Sequence, residues 1–184
     1  MAAIAVGAGG LTYYLVVTGK LTLDTGMGRR TRPLGPFGID IAATAETIFD
    51  VVAAPYLRRT PRAMAGKLRV VDRGADLVLA EHYTPLHGGR LTAVTLETVS
   101  FERPDRIAFR LVRGPVPHLA EQFTLTGRDG VTRLDYSGEL GMDFAIAGQW
   151  WADRVANAWE AAVRSSFAGI KSEAERRAGQ ARPG

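Results

Sequence analysis

The 184-residue chain contains no cysteine, which excludes disulfides, thiolate metal sites and a cysteine nucleophile and leaves the redox compartment open. Histidine is nearly as scarce. The three present, His82, His87 and His118, stand on separate segments without ligand-like spacing, so no metal site is expected. There is no internal repeat. The "GAGG" of residues 7–10 lacks the strand, helix and acidic partner that surround a dinucleotide loop, and no cofactor is expected. The net charge of only +4 is a weak pull toward anionic partners. Aromatic residues are not interleaved with the basic ones, which argues against nucleic acid. With 46% hydrophobic and 23% charged residues, the composition is that of a globular chain long enough for one domain with its own core.

Charge is absent altogether from the start. The stretch "AAIAVGAGGLTYYLVVTG", residues 2–19, ends just before the first charged residue, Lys20. A bilayer-spanning helix needs roughly 17–25 mostly apolar residues, and this run meets the lower end. Its four glycines make a poor helix in water, whereas in lipid Ala3/Gly7 and Ala5/Gly9 have the spacing for close helix contact. Tyr13 and Tyr14 suit an interface. A secretory signal would place a basic residue before the run, and none is there. Residues 1–23 are therefore expected to form a single-pass transmembrane anchor, the plainer alternative being a buried or unstructured N-terminal segment. Lys20, Arg29, Arg30 and Arg32 follow against Asp24 alone, so the positive-inside rule would put the rest of the chain in the cytoplasm. Residues 24–36, with "RPLGPFG", read as a basic Pro/Gly linker. Arg29 and Arg30, with the later run Arg58, Arg59 and Arg62 (continued by Lys67 and Arg69), are candidates for contact with anionic headgroups. A solvated surface is the simpler reading of that run.

From residue 37 the pattern is that of a folded domain, expected over 37–177 with a disordered tail at 178–184. "FGIDIAA" alternates as a half-buried strand does. Thr44 opens a helix with Ile48, Phe49, Val51 and Val52 on one face, expected to stop at Pro55. Strands follow at about 68–72, 76–84, 90–102, 106–113, 118–126 and 131–140, parted by "DRGAD", "PLHGG", "RPDR", "RGPVP" and "GRDG". Tight turns between successive strands predict an antiparallel meander with one apolar face to cover.

The cover is a long terminal helix that holds all three tryptophans. At about 100° per residue, Trp151, Val155, Trp159, Ala162, Val163, Phe167 and Ile170 share a stripe, while Trp150 falls on its flank. Ala156, Ser166 and Gly169 lie among these large side chains. Such gaps either let the helix approach the sheet or leave a cavity beside it.

"IDIAATAETIFDVVAAPYL", the turn-linked strands with "RPDRIAFRL" and "LAEQFTLTGRDGVTRLDYSGEL", and the final helix together resemble the START-like SRPBCC superfamily, which includes polyketide cyclase/dehydrase, coenzyme Q-binding and birch-pollen-allergen-type proteins. The resemblance rests on element order and loose motifs over 37–177. It implies an α+β helix-grip fold, a curved seven-stranded antiparallel sheet around the C-terminal helix, with an apolar cavity between them. An N-terminal anchor is outside that common fold, "DRGAD" lacks the long glycine-rich loop of the allergen branch, and the superfamily has no shared catalytic set to transfer.

On this reading Trp151, Val155, Trp159, Val163, Phe109, Phe123 and Tyr136 are the expected ligand-binding residues. Glu121, in the alternation Leu119, Glu121, Phe123, Leu125, and Glu81, in Leu77, Leu79, Glu81, Tyr83, would each share an apolar face. A carboxylate so placed has a raised pKa and suits general acid–base work, with Tyr136 or His118 as proton partner. The alternative is a strand registered the other way, with the carboxylate solvated or paired to an arginine. Three functions remain: a membrane-tethered, non-catalytic binder or carrier of a lipid, isoprenoid quinone or polyketide-like molecule; a cyclase/aromatase-type enzyme; or an accessory subunit of a membrane protein complex.

Overall fold

The computed structural model describes residues 2–57, 66–86, 90–128 and 130–180. The order is α1 (Ala2–Val17), β1 (Arg30–Ile41), α2 (Ala45–Leu57), β2 (Leu68–Arg73), β3 (Leu77–Leu86), β4 (Leu91–Glu102), β5 (Arg106–Arg113), β6 (His118–Arg128), β7 (Val131–Met142) and α3 (Ala145–Gln180). All seven strands form one antiparallel sheet in the order β1-β7-β6-β5-β4-β3-β2. Strands β2 through β7 pair in sequence order as a meander. The connection from β1 to β2 instead crosses to the far edge of the sheet, and α2 lies in that crossing. Register shifts at Leu34/Phe37, Val70/Asp72 and Leu96/Glu97 bend the sheet, and α3 lies against its concave face.

The alternation of each strand decides what faces α3. Leu134, Tyr136 and Leu140 of β7, Leu119, Phe123 and Leu125 of β6, Ile107 and Phe109 of β5, and Val78 and Ala80 of β3 are all buried in the core. Helix α2 adds Ile48, Phe49, Val52, Ala53 and Tyr56 from one of its faces. Its first turn is capped by Thr44 Oγ1, which accepts from the Thr47 N–H at 3.3 Å. Each fully buried large apolar side chain contributes about 1.5–3 kcal/mol. Pro55 does not stop α2, which continues to Leu57 and so carries Tyr56 into the core.

Strand β1 starts at Arg30, inside the stretch read as a linker, and pairs with β7 from Arg30↔Met142 onward. It is an edge strand, where prolines are tolerated, and Pro36 falls at its bulge. Gly35, at φ 73°, sits at the bulge and donates its N–H to Glu160 Oε1 of α3 at 2.8 Å. At the other end α3 continues to Gln180, into the predicted tail.

The membrane anchor is overturned. Among the described residues no helix is long and apolar enough to cross a membrane. The 16 residues of α1 span about 24 Å at 1.5 Å each, short of a hydrocarbon core of about 30 Å. The helix stops because Gly19 turns into the left-handed region at φ 67°, with its N–H on Val16 O. The cytoplasmic, single-pass placement argued from the span falls with it.

The chain instead folds back onto the domain. A Cβ on Gly19 would lie 2.5 Å from Val94 O, so only glycine fits that approach. Thr22 Oγ1 donates to Gly114 O and accepts from Gly114 N, both at 3.0 Å. Asp143, fully buried at the β7–α3 junction, accepts from Thr25 N, Thr25 Oγ1, Gly26 N and Arg29 Nε. The Arg29 guanidinium holds that carboxyl well below the usual range, helped by the Thr25 and Gly26 donors. Arg29 thus fastens this strap instead of facing headgroups. The junction that it secures is strained: Phe144 and Ala145 both have positive φ. Their N–H groups bond to Met27 O and Gly28 O.

A candidate ligand cavity between sheet and helix

Between the sheet and α3 lies a cavity of about 380 Å³, within the size range of small-molecule sites. From α3 it is lined by Trp151, Val155, Trp159 and Val163, and from the sheet by Phe109 and Phe123. Tyr13 and Val17, in the last turns of α1, complete the wall. Val17 is buried, and the Tyr13 ring meets Trp151 edge-on at 5.9 Å. Of the small residues on the α3 stripe, Ser166 lines the space, whereas Ala156 is buried in the core and Gly169 lies away from it; Ala158 and Ala162 line it too.

Most of the lining is apolar, and besides Thr84, Arg154 and Ser166 its polar side chains form two hydrogen-bonded clusters. In the first, Glu121 Oε2 accepts from Tyr136 OH at 2.5 Å and from Trp159 Nε1 at 2.6 Å. Burial, then the charge of Glu97, pushes the Glu121 carboxyl up to about 7, against the opposing pull of those two donors. Burial, then Glu121, likewise raises the Tyr136 phenol. Glu121 pairs in register with Gly138. A Cβ on Gly138 would lie 2.7 Å from Ala120 O and 2.8 Å from Glu121 Cβ, so glycine makes room beside the carboxylate.

The second cluster joins three elements. Tyr56 OH of α2 lies 2.9 Å from His82 Nε2 of β3, and His82 Nδ1 faces Glu97 Oε2 of β4 at 3.2 Å. Thr95 Oγ1 holds the other Glu97 oxygen at 2.6 Å. All four residues line the cavity. Glu97 is 1% exposed, so its charge is stabilised chiefly by these partners. Burial alone would lower the His82 pKa; the Glu97 charge and, more weakly, that of Glu121 outweigh it and raise it. Burial, then Glu97 and Glu121, raises the Tyr56 phenol.

The structure brings Trp151, Val155, Trp159, Val163, Phe109, Phe123 and Glu121 to one cavity. Tyr136 stands behind it, bonded to Glu121, and Trp150 points outward at 65% exposure. Two acid–base candidates lie elsewhere. On β3 the inward face is Val78, Ala80 and His82, so Glu81 points outward with the exposed Leu77. There it binds Arg69 Nε at 3.0 Å and Tyr83 OH at 2.5 Å, with Arg113 at 3.8 Å. The Tyr83 hydrogen bond, then Arg69, lowers its pKa instead of raising it. His118 is on the outer face of β6, opposite in direction to Leu119, and pairs with Glu139 at 2.8 Å. Arg30 is exposed at the start of β1, and Arg58, Arg59 and Arg62 lie outside the described residues. Sequence reasoning missed Tyr56, His82, Thr95 and Glu97. The signal available was the other alternation of β3, since Val78 and Ala80 form as good an apolar face as Leu77 and Leu79.

Residues 38–175 match the family described as polyketide cyclase/dehydrase and lipid transport. The chain belongs to that family. No curated protein matches it. Among solved structures, it is similar to the Zhui aromatase/cyclase from a Streptomyces species, with a TM-score of 0.63 at 15% identity over 80% of this chain and 96% of that one. It is also similar to norcoclaurine synthase from Thalictrum flavum in complex with dopamine and hydroxybenzaldehyde, with a TM-score of 0.60 at 13% identity over 85% and 91%. A START superfamily protein from Mycobacterium smegmatis gives 0.51 at 13% over 83% and 97%. At these identities the likeness establishes the shared helix-grip fold. The cavity of this polyketide cyclase/dehydrase and lipid transport family member is therefore the space its fold leaves between sheet and terminal helix.

Proposed function

We propose that the protein binds a hydrophobic small molecule, of lipid, isoprenoid quinone or polyketide-like character, in the cavity between the sheet and α3. The observation that carries this is the cavity's lining: four tryptophan and phenylalanine side chains (Trp151, Trp159, Phe109, Phe123) with Val155 and Val163, around a small number of fixed polar groups. Such a lining holds a ligand through apolar area removed from water, at about 25 cal/mol per Å². A second reading is favoured by Glu121. A carboxyl that titrates near neutrality in an apolar site is suited to general acid–base catalysis, as a cyclase of polyketide-like substrates requires.

The two readings separate by mutation. Trp159→Ala removes a large contact and is expected to weaken retention of a co-purified apolar ligand by roughly tenfold or more. Glu121→Gln keeps size and hydrogen-bonding capacity and is expected to change retention little. Native mass spectrometry of the purified proteins reads both. Equal retention by Trp159→Ala and wild type contradicts the binding reading. Loss of turnover of a candidate polyketide in a folded, ligand-binding Glu121→Gln replaces the carrier with the enzyme.

A further inference from the structure

The chain Glu97, His82, Tyr56 places three ionisable side chains on the wall of the cavity, with the Tyr56 ring also packed on Phe101 and Phe109. Its geometry admits two proton arrangements. His82 Nδ1 faces the Glu97 carboxylate at 3.2 Å, outside hydrogen-bond alignment but at ion-pair distance. Nε2 faces Tyr56 OH at 2.9 Å. In a neutral imidazole the single proton is favoured on Nδ1, beside the carboxylate, and Nε2 accepts the Tyr56 hydroxyl proton. In an imidazolium both nitrogens donate. Nε2–H then points at the Tyr56 oxygen, and the tyrosine's own proton is released from His82.

We infer that Tyr56 is the polar anchor for a carbonyl oxygen on the cavity's ligand, and that the His82–Glu97 pair behind it decides whether the Tyr56 proton is free to make that bond. The inference rests on the reading that the cavity holds an apolar small molecule, and it narrows that molecule to one bearing a ketone, aldehyde or quinone oxygen. A hydrogen-bond acceptor fits this spot because a hydroxyl donating into an apolar space needs one, and an imidazolium hydrogen-bonded to that hydroxyl strengthens it as a donor. The groups facing His82 are Tyr56 from α2, Glu97 from β4 with Thr95 holding its far oxygen, and Glu121 from β6, with the Phe109 ring of β5 at 6.4 Å. Arg154 of α3 also lines the cavity. Both carboxylates favour the imidazolium, so His82 stays charged to a higher pH than a free histidine. The anchor is therefore present at low pH and lost as pH rises through the His82 titration.

The test compares 2-acetylnaphthalene with 2-ethylnaphthalene, which matches its shape but lacks the oxygen, on the full-length protein. Quenching of tryptophan fluorescence gives both affinities from about pH 5 to about pH 9. The ratio of ketone to hydrocarbon affinity cancels the apolar contribution. That ratio is expected to fall about tenfold across the series. Tyr56→Phe is expected to show the low ratio at every pH, and His82→Gln a ratio independent of pH. Glu121 also titrates in this range, so Glu121→Gln serves as a control and is expected to keep the fall. Should a variant fail to fold, the carbonyl ¹³C shift of labelled 2-acetylnaphthalene bound to wild type serves alone. It is expected to lie further downfield at low pH, where the hydrogen bond forms. A ratio and a shift that ignore pH in wild type, a Tyr56→Phe protein that keeps the high ratio, or a fall that persists in His82→Gln and vanishes in Glu121→Gln overturns the inference while hydrocarbon binding leaves the cavity reading intact. If the hydrocarbon itself fails to bind saturably, the cavity reading falls and takes this inference with it.

Discussion

Glu121 resists ionisation because it sits among apolar side chains near a second carboxylate, and this couples its proton to the stability of the fold. Its pKa is about 7 in the folded protein against an ordinary 4.5. Below about pH 4.5 both folded and unfolded chains hold the proton and no difference arises. As pH rises toward 7 the unfolded chain gives its proton up first, so the folded state loses stability, by about 3 kcal/mol in all. Above 7 the loss is complete. Glu121→Gln has no such proton and is expected to gain on wild type by up to about that amount between about pH 4.5 and about pH 7. Urea unfolding across that range measures it, and a stability difference that does not change with pH contradicts the assignment. Glu121 itself was legible, because Leu119, Phe123 and Leu125 mark its face. His82 was not, because β3 alternates two apolar faces and only its register with β4, where His82 pairs with Thr95, tells them apart.

Among the elements, the six strands from β2 to β7 were legible because turn residues bracket each one, and α3 because its apolar stripe persists over five turns. β1 was half hidden: its first residues carry the prolines and glycines of a linker, and pairing with β7 overrides that local signal. Helix α1 was legible as a helix, but its role was not. An uncharged run looks the same whether lipid or the rest of the chain receives it, and the contacts that decide are far away in sequence: Gly19 on Val94, Thr22 on Gly114, Tyr13 on Trp151. Those contacts make the last turns of α1 part of the cavity wall, with the strap to Asp143 keeping them in place. Removing them with Tyr13→Ala and Val17→Ala is expected to speed release of a bound apolar probe on the order of 5–30-fold, the effect of one to two kcal/mol. Stopped-flow displacement measures that rate. An unchanged rate means that ligand leaves by another route and that α1 is only a surface element.

In the molecule as a whole, the sheet, α2, α3 and the end of α1 line a largely apolar space with polar groups on its wall, and the proposed function depends on that space being filled. A core of this size is normally packed to the density of an organic crystal, so a cavity of about 380 Å³ lined by large aromatic side chains is a feature that a ligand explains. A change that fills the space should abolish binding and spare the fold, because it overpacks nothing. Val163, half-buried on α3 and facing the cavity, is the position to enlarge. The most direct test is a fluorescence titration of N-phenyl-1-naphthylamine into wild-type protein and into Val163→Trp, at equal thermal stability. Saturable binding of one probe per wild-type chain is expected, with affinity at least about tenfold weaker in Val163→Trp, a difference of about 1.4 kcal/mol. Equal affinity in the two proteins, or no saturable binding to either, would contradict the proposed function.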